Sequence, residues 1–175
     1  LLALLKHPLF RLGKNAGAYT QTIADLEIAL LRGTRPAAGC AGLARDFARF
    51  RDEHAKLHRN ELSALHHSEP RAALDADRLG HVEDFIKQLC TAIEPLDDIK
   101  PGAAHDFTGF ANRHRQAIAA LSGDENKIAT AFEGAEGEAL TKAFDELAEA
   151  GSSGLGVTRA DYPDVFKTAF ADRIV

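Results

Sequence analysis

Two histidines one helical turn apart are the residues in this chain most suited to metal chemistry. His54 and His58 lie four positions apart in a segment predicted to be helical, so both imidazoles fall on one side of the helix and can reach one metal ion. Ala55 stands where an HExxH metalloprotease carries its glutamate, and no third ligand has a characteristic spacing. His54 also falls on the apolar stripe of the helix, which favours a structural role in the core. We therefore predict no metal site.

The glycine-rich segments do not match a nucleotide-binding loop. A Walker A loop requires Gly-x-x-x-x-Gly-Lys-Ser/Thr, whereas Gly13-Lys14 is followed by Asn15 and has Pro8 where the first glycine belongs. The segment Gly151–Gly156 lacks the GxGxxG order, and no predicted strand precedes it. We interpret it as a flexible linker near residues 151–157. The sequence thus predicts no catalytic and no cofactor-binding residue.

A basic stripe is predicted on the helix that runs from about Cys40 to His58. At about 100° per residue, the core positions of this helix cluster within a narrow arc. The cations cluster nearly opposite, and they are Arg45, Arg49 and Lys56, with Arg59 a little apart. Such a stripe can lie along a phosphate backbone without reading base sequence, so these four residues are candidate DNA contacts. The alternative is a solvated face on which Arg49 pairs with Glu53 and Lys56 with Asp52, leaving Arg45 and Arg59 free.

The composition is that of a globular domain. The chain has 175 residues, of which 45% are hydrophobic and 27% charged, and this excludes a disordered tail, a collagen-like chain and a disulfide scaffold. The net charge is −5, yet residues 1–60 hold ten Lys and Arg against five Asp and Glu. This asymmetry suits a phosphate partner, and it is also what internal ion pairing produces.

The two cysteines, the apolar runs and the first residue bear on cellular context. Cys40 and Cys90 are far apart and form no CxxC, which predicts neither a zinc nor an iron–sulfur site and favours a reducing cytoplasm. No apolar run is long enough to cross a bilayer, so we expect no membrane partner. The chain begins at Leu1 and contains no Met, from which we expect a piece of a longer protein.

Helical periodicity dominates the chain. Apolar residues recur at spacings of three and four, while no stretch alternates with period two. We predict one all-α domain over residues 1–175, an irregular bundle of about seven amphipathic helices with no significant sheet. A helix is expected to end before Pro95, and residues 60–74 are expected to form a polar loop with some helical turns. The residues predicted to be largely buried are Leu43, Phe47, Phe50, Phe85, Leu89, Phe107, Phe110, Ile118, Phe144 and Phe166.

Three segments resemble, in the same order, stretches of the AddB subunit of alphaproteobacterial AddAB double-strand-break repair helicase–nucleases. They are LLALLKHPLFRLG (Leu1–Gly13), LLRGTRPAAGCAGL (Leu30–Leu43) and ADYPDVFKTAFADRIV (Ala160–Val175). None of them is a catalytic signature.

The resemblance implies a helical accessory subdomain inserted into a superfamily-one-like helicase core. The ATP and Mg²⁺ site, the nuclease carboxylates and the iron–sulfur cluster would all lie elsewhere in the parent complex, which pairs with an AddA-type subunit and acts on broken DNA. This chain would then be a non-catalytic module for DNA contact and subunit docking. The alternative is a free-standing helical adaptor that binds metal through His54 and His58, or binds only protein.

Overall fold

Helices make up most of the structure. The computed structural model describes residues 1–33, 36–100, 102–149 and 154–171. In these residues the α-helices are α1 (Leu2–Leu5), α2 (Thr20–Leu26), α3 (Gly39–His58), α4 (Ala76–Asp97), α5 (Phe107–Ser122), α6 (Gly134–Glu149) and α7 (Tyr162–Phe170). A π-helical turn over Glu27–Leu31 extends α2, and short 3₁₀ helices cover Pro70–Ala73 and Thr130–Phe132. The predicted all-α class is confirmed.

The described residues contain one minimal sheet. Strand β1 (His105–Asp106) pairs antiparallel with β2 (Gly156–Val157), so that His105 lies opposite Val157. The predicted linker near residues 151–157 is therefore wrong at its end, because Gly156 and Val157 are held by strand pairing and Val157 is buried. Residues 151–153 lie outside the described residues.

The chain divides into two compact units. The first contains Leu1–Pro8 and Gly17–Thr91, and the second contains Leu9–Ala16 and Ala92–Val175. The division falls within α4, between Thr91 and Ala92. That residues 1–175 form a single domain stays a prediction.

Large apolar side chains fill the core of the first unit. Phe47 and Phe50 contribute from α3, and Val82, Phe85 and Leu89 contribute from α4, all of them at spacings of three or four. Asp75 caps α4, since its Oδ1 accepts a hydrogen bond from the Arg78 amide at 2.8 Å. The prediction that α4 ends before Pro95 is wrong. Pro95 lies in the last turn of the helix, where its missing N–H removes only the bond to the Thr91 carbonyl.

An aromatic cluster forms the core of the second unit. Phe110 of α5 stacks on Tyr162 of α7 with ring centroids 3.8 Å apart, and Phe144 of α6 packs beside them. Eight of the ten residues predicted to be buried are buried. Ile118 and Phe166 are only partly buried, because they pack against this cluster from its rim.

Two glycines shape the start of α6. Gly134 has a φ of +70°, a left-handed conformation that side chains disfavour. A Cβ on Gly137 would lie 2.3 Å from the backbone carbon of Phe132, so only glycine permits this close approach. The entry into the helix therefore favours glycine at position 134 and requires it at position 137.

Candidate nucleic-acid interface and histidine pair

Helix α3 presents a packed face and an exposed face, as its sequence predicts. Leu43, Phe47, Phe50, His54 and Leu57 are all buried. The helix ends where Asn60 adopts a left-handed φ of +57° and its amide bonds to the Leu57 carbonyl at 3.0 Å. This termination fixes the chain direction just after the basic stripe.

Arg45 and Arg49 lie exposed on the first half of α3. Arg49 forms an ion pair with Asp46 at 3.3 Å, one turn earlier, rather than with Glu53 as the pairing hypothesis supposed. Arg45 makes no ion pair with any residue in the described part of the chain. The Arg49 side chain is 76% exposed, and a single ion pair of this kind contributes little stability, so both guanidinium groups remain available to an external anion.

Lys56 and Arg59, on the second half, are held by carboxylates. Lys56 Nζ lies 2.7 Å from Asp52 Oδ2 and 2.8 Å from Glu53 Oε1. Arg59 makes two bonds to Glu61, at 2.6 and 3.0 Å, so the expectation that Arg59 is free is wrong. The two halves of the predicted stripe therefore differ, and its first half is the more available to phosphate.

Glu53 ties the segment after α3 back onto the helix. Its carboxylate accepts from Lys56 and also from the Ala64 amide at 2.6 Å and the Ser63 hydroxyl at 3.2 Å. The hydrogen bonds from these donors lower the pKa of Glu53 to about 2, and the bond from Lys56 has the largest effect. The hydrogen bond to Asp52, and next the one to Glu53, raise the pKa of Lys56. Part of the predicted loop over residues 60–74 is thus anchored by a helix side chain.

A groove with a volume of about 340 Å³ lies between α3 and α4. Phe47 and Ile86 contribute apolar lining, while Arg51 of α3 forms an ion pair with Glu83 of α4 along its edge. Arg51 is a surface residue that was not among the predicted contacts. No signal in the sequence links it to Glu83, because the two residues are 32 positions apart.

The histidines of α3 come into direct contact. His54 Nε2 and His58 Nε2 are 3.2 Å apart, and the ring centroids are 4.4 Å apart. His54 is only 7% exposed, whereas His58 is exposed. Burial, and next the charge of His58, lower the pKa of His54. Hydrogen bonding to the Ala72 and Leu74 backbone acts in the opposite direction.

Two other histidines, His114 and His66, make contacts within the fold. His114 Nδ1 lies 3.1 Å from the Tyr162 hydroxyl inside the aromatic cluster, and burial lowers its pKa. His66 is exposed and contacts the Ser68 hydroxyl at 2.8 Å. No group of three or more His, Cys, Asp or Glu side chains suited to a metal ion occurs among the described residues.

The backbone amides of Gly13 and Lys14 make hydrogen bonds within the fold. The Gly13 amide donates to the Gly123 carbonyl at 2.7 Å, and the Lys14 amide donates to the Arg11 carbonyl at 3.1 Å. Both amides are therefore used by the fold itself. A phosphate cradle needs such amides pointing at the ligand.

Comparison with known proteins gives no assignment. No family model, curated protein or solved structure matches this chain. Within the described ranges, no helix is both long enough and apolar enough to cross a membrane. The geometry of α3 and its neighbours is thus the basis for a functional proposal.

Proposed function

We propose that this chain is a non-catalytic helical module of an AddB-type DNA helicase–nuclease subunit, working in double-strand-break repair in a reducing cytoplasm. In this proposal the module contributes DNA contact and docks against an AddA-type subunit. The ATP site and the iron–sulfur cluster belong to other parts of the parent complex. The resemblance of Leu1–Gly13, Leu30–Leu43 and Ala160–Val175 to AddB sequences supports the choice of family.

The observation that carries the DNA contact is the unequal pairing along α3. Arg45 has no ion pair among the described residues, and Arg49 has one ion pair, with Asp46, at 3.3 Å. Lys56 and Arg59 are each held by two short bonds. Moving Lys56 or Arg59 to a phosphate would break those bonds, whereas Arg45 loses nothing. We therefore narrow the proposed contact from four residues to Arg45 and Arg49.

The test is the salt dependence of DNA-end binding by the intact helicase–nuclease. Each phosphate neutralised by a cation contributes about 0.9 to the slope of log affinity against log salt. We expect Arg45→Ala/Arg49→Ala to lower the magnitude of that slope by about 1–2. Lys142→Ala on α6 is the matched control, since Lys142 is also an exposed helical cation.

The variants also separate the two halves of the stripe. Lys56→Ala/Arg59→Ala should leave the slope close to that of the wild type. An unchanged slope in Arg45→Ala/Arg49→Ala would show that α3 does not meet phosphate. If that variant also copurified normally with the AddA-type subunit, the module would be a protein-docking element only.

A further inference from the structure

We propose that His54 and His58 form a two-nitrogen site for one divalent transition-metal ion of the Zn²⁺, Ni²⁺ or Cu²⁺ class, with water completing the coordination. Imidazole nitrogen is a favoured ligand of these ions. The two Nε2 atoms lie 3.2 Å apart on successive turns of α3. The inference is independent of the proposed role in DNA repair.

The separation of the two nitrogens suits a shared metal ion. Two nitrogens bound at about 2.0–2.1 Å lie about 2.8–3.4 Å apart when the angle at the metal is about 90–109°. The distance of 3.2 Å falls within that interval. The ring centroids are 4.4 Å apart, only slightly farther than the two nitrogens. Rings that met end to end through these nitrogens would have centroids much farther apart. The imidazoles therefore lie obliquely side by side rather than end to end.

The surroundings of His54 hold its ring in place. The ring is buried, and its centroid lies 5.9 Å from that of Phe50. Nε2 faces His58, so Nδ1 is the nitrogen available to the backbone carbonyls of Ala72 and Leu74. A carbonyl on the second nitrogen is how proteins commonly orient a metal-binding histidine.

The surroundings of His58 leave the pair accessible. His58 is exposed on the last turn of α3, so an ion and its water ligands can approach from solvent. The competing interpretation is an N–H···N hydrogen bond in which the pair shares one proton. In the proposed site a metal ion replaces that proton.

The experiment titrates the purified 175-residue chain with Zn²⁺ at pH 7.5 by calorimetry. We expect one ion per chain and at least a tenfold loss of affinity in His58→Ala, a variant that alters an exposed side chain and spares the buried one. His66→Ala/His67→Ala removes two exposed histidines and should bind like the wild type. Affinity should also fall as pH drops below about 6, because protons compete for imidazole.

A second measurement reads the buried ligand without changing it. The ¹⁵N resonance of His54 Nε2 should shift on addition of Zn²⁺ in the wild type and remain in place in His58→Ala. Absence of binding at 1:1 stoichiometry would overturn the site and leave the shared-proton hydrogen bond. Binding that is kept in His58→Ala, or lost in His66→Ala/His67→Ala, would also overturn it.

Discussion

Replacing Phe110 by alanine removes a ring from the centre of the second unit. Phe110 is 4% exposed and stacks on Tyr162 with ring planes inclined by 9°. Truncation of a buried phenylalanine costs about 3–5 kcal/mol, through lost burial and the cavity left behind. We expect the upper half of that range, because the stacked pair contributes beyond its buried area.

Tyrosine fluorescence provides a local assay for this loss. The chain has no tryptophan and only two tyrosines, Tyr19 and Tyr162, so a Tyr19→Phe background leaves Tyr162 as the sole tyrosine. With a urea m-value of about 2 kcal/mol per M, a loss of 3–5 kcal/mol lowers the unfolding midpoint by about 1.5–2.5 M. Phe132→Ala is the matched control, because Phe132 packs against the same core from its rim.

The outcome distinguishes a packed core from a loosely covered one. Phe132→Ala should lower the midpoint by less than half as much as Phe110→Ala. If Phe110→Ala cost less than about 1 kcal/mol, the cluster around Tyr162 would not hold the second unit together. Equal effects of the two variants would mean that the distinction between centre and rim is wrong.

Three further substitutions and a pH series test the charged and titratable groups. Asp25 is 2% exposed and accepts two hydrogen bonds from Arg78, and these bonds lower the pKa of Asp25. Arg78→Ala would leave a buried carboxylate without its cation. We therefore expect it to lower the free energy of unfolding, measured in urea melts, by about 3 kcal/mol. Arg51→Ala, whose partner Glu83 is more exposed, should cost less than about 1 kcal/mol. Burial lowers the pKa of His114 and is also the main cause of the lowered pKa of His54. The unfolded chain therefore binds more protons than the folded chain as pH falls below about 6.5. As a result, the urea midpoint should fall between pH 7.5 and 5.5. His114→Gln should flatten this dependence, and a midpoint constant over that range in the wild type would contradict it.

The helices could be read from the sequence because their signals are local. Apolar spacing alone predicted the buried face of α3 and the aromatic positions of α5, since a helix turns by a fixed angle per residue. Two contacts at helix starts are equally local: Asp75 caps α4, and the Thr158 hydroxyl donates to Asp161 Oδ2 before α7 at 2.6 Å. The end of α4 was misjudged, because Pro95 disrupts only one hydrogen bond when it lies in a last turn.

The candidate site was only half determined by the sequence. The spacing of His54 and His58 placed them on one side of α3, but ring orientation fixes the 3.2 Å contact, and that orientation depends on Phe50 and on carbonyls some twenty residues away. The sequence likewise placed the four cations on one face. The four cations have different partners because the chain folds back after the helix. This fold-back brings Glu61 to Arg59 and the Ala64 amide to Glu53.

The sequence by itself therefore determined the spacing of apolar residues and the order of charges along each helix, because residues close together in the chain define both. The tertiary structure alone decided which charges are paired, which aromatic rings lie at the centre and which at the rim, and why Gly137 must be glycine. Those properties depend on atoms that are distant along the chain, and close packing fixes them only when the elements come together.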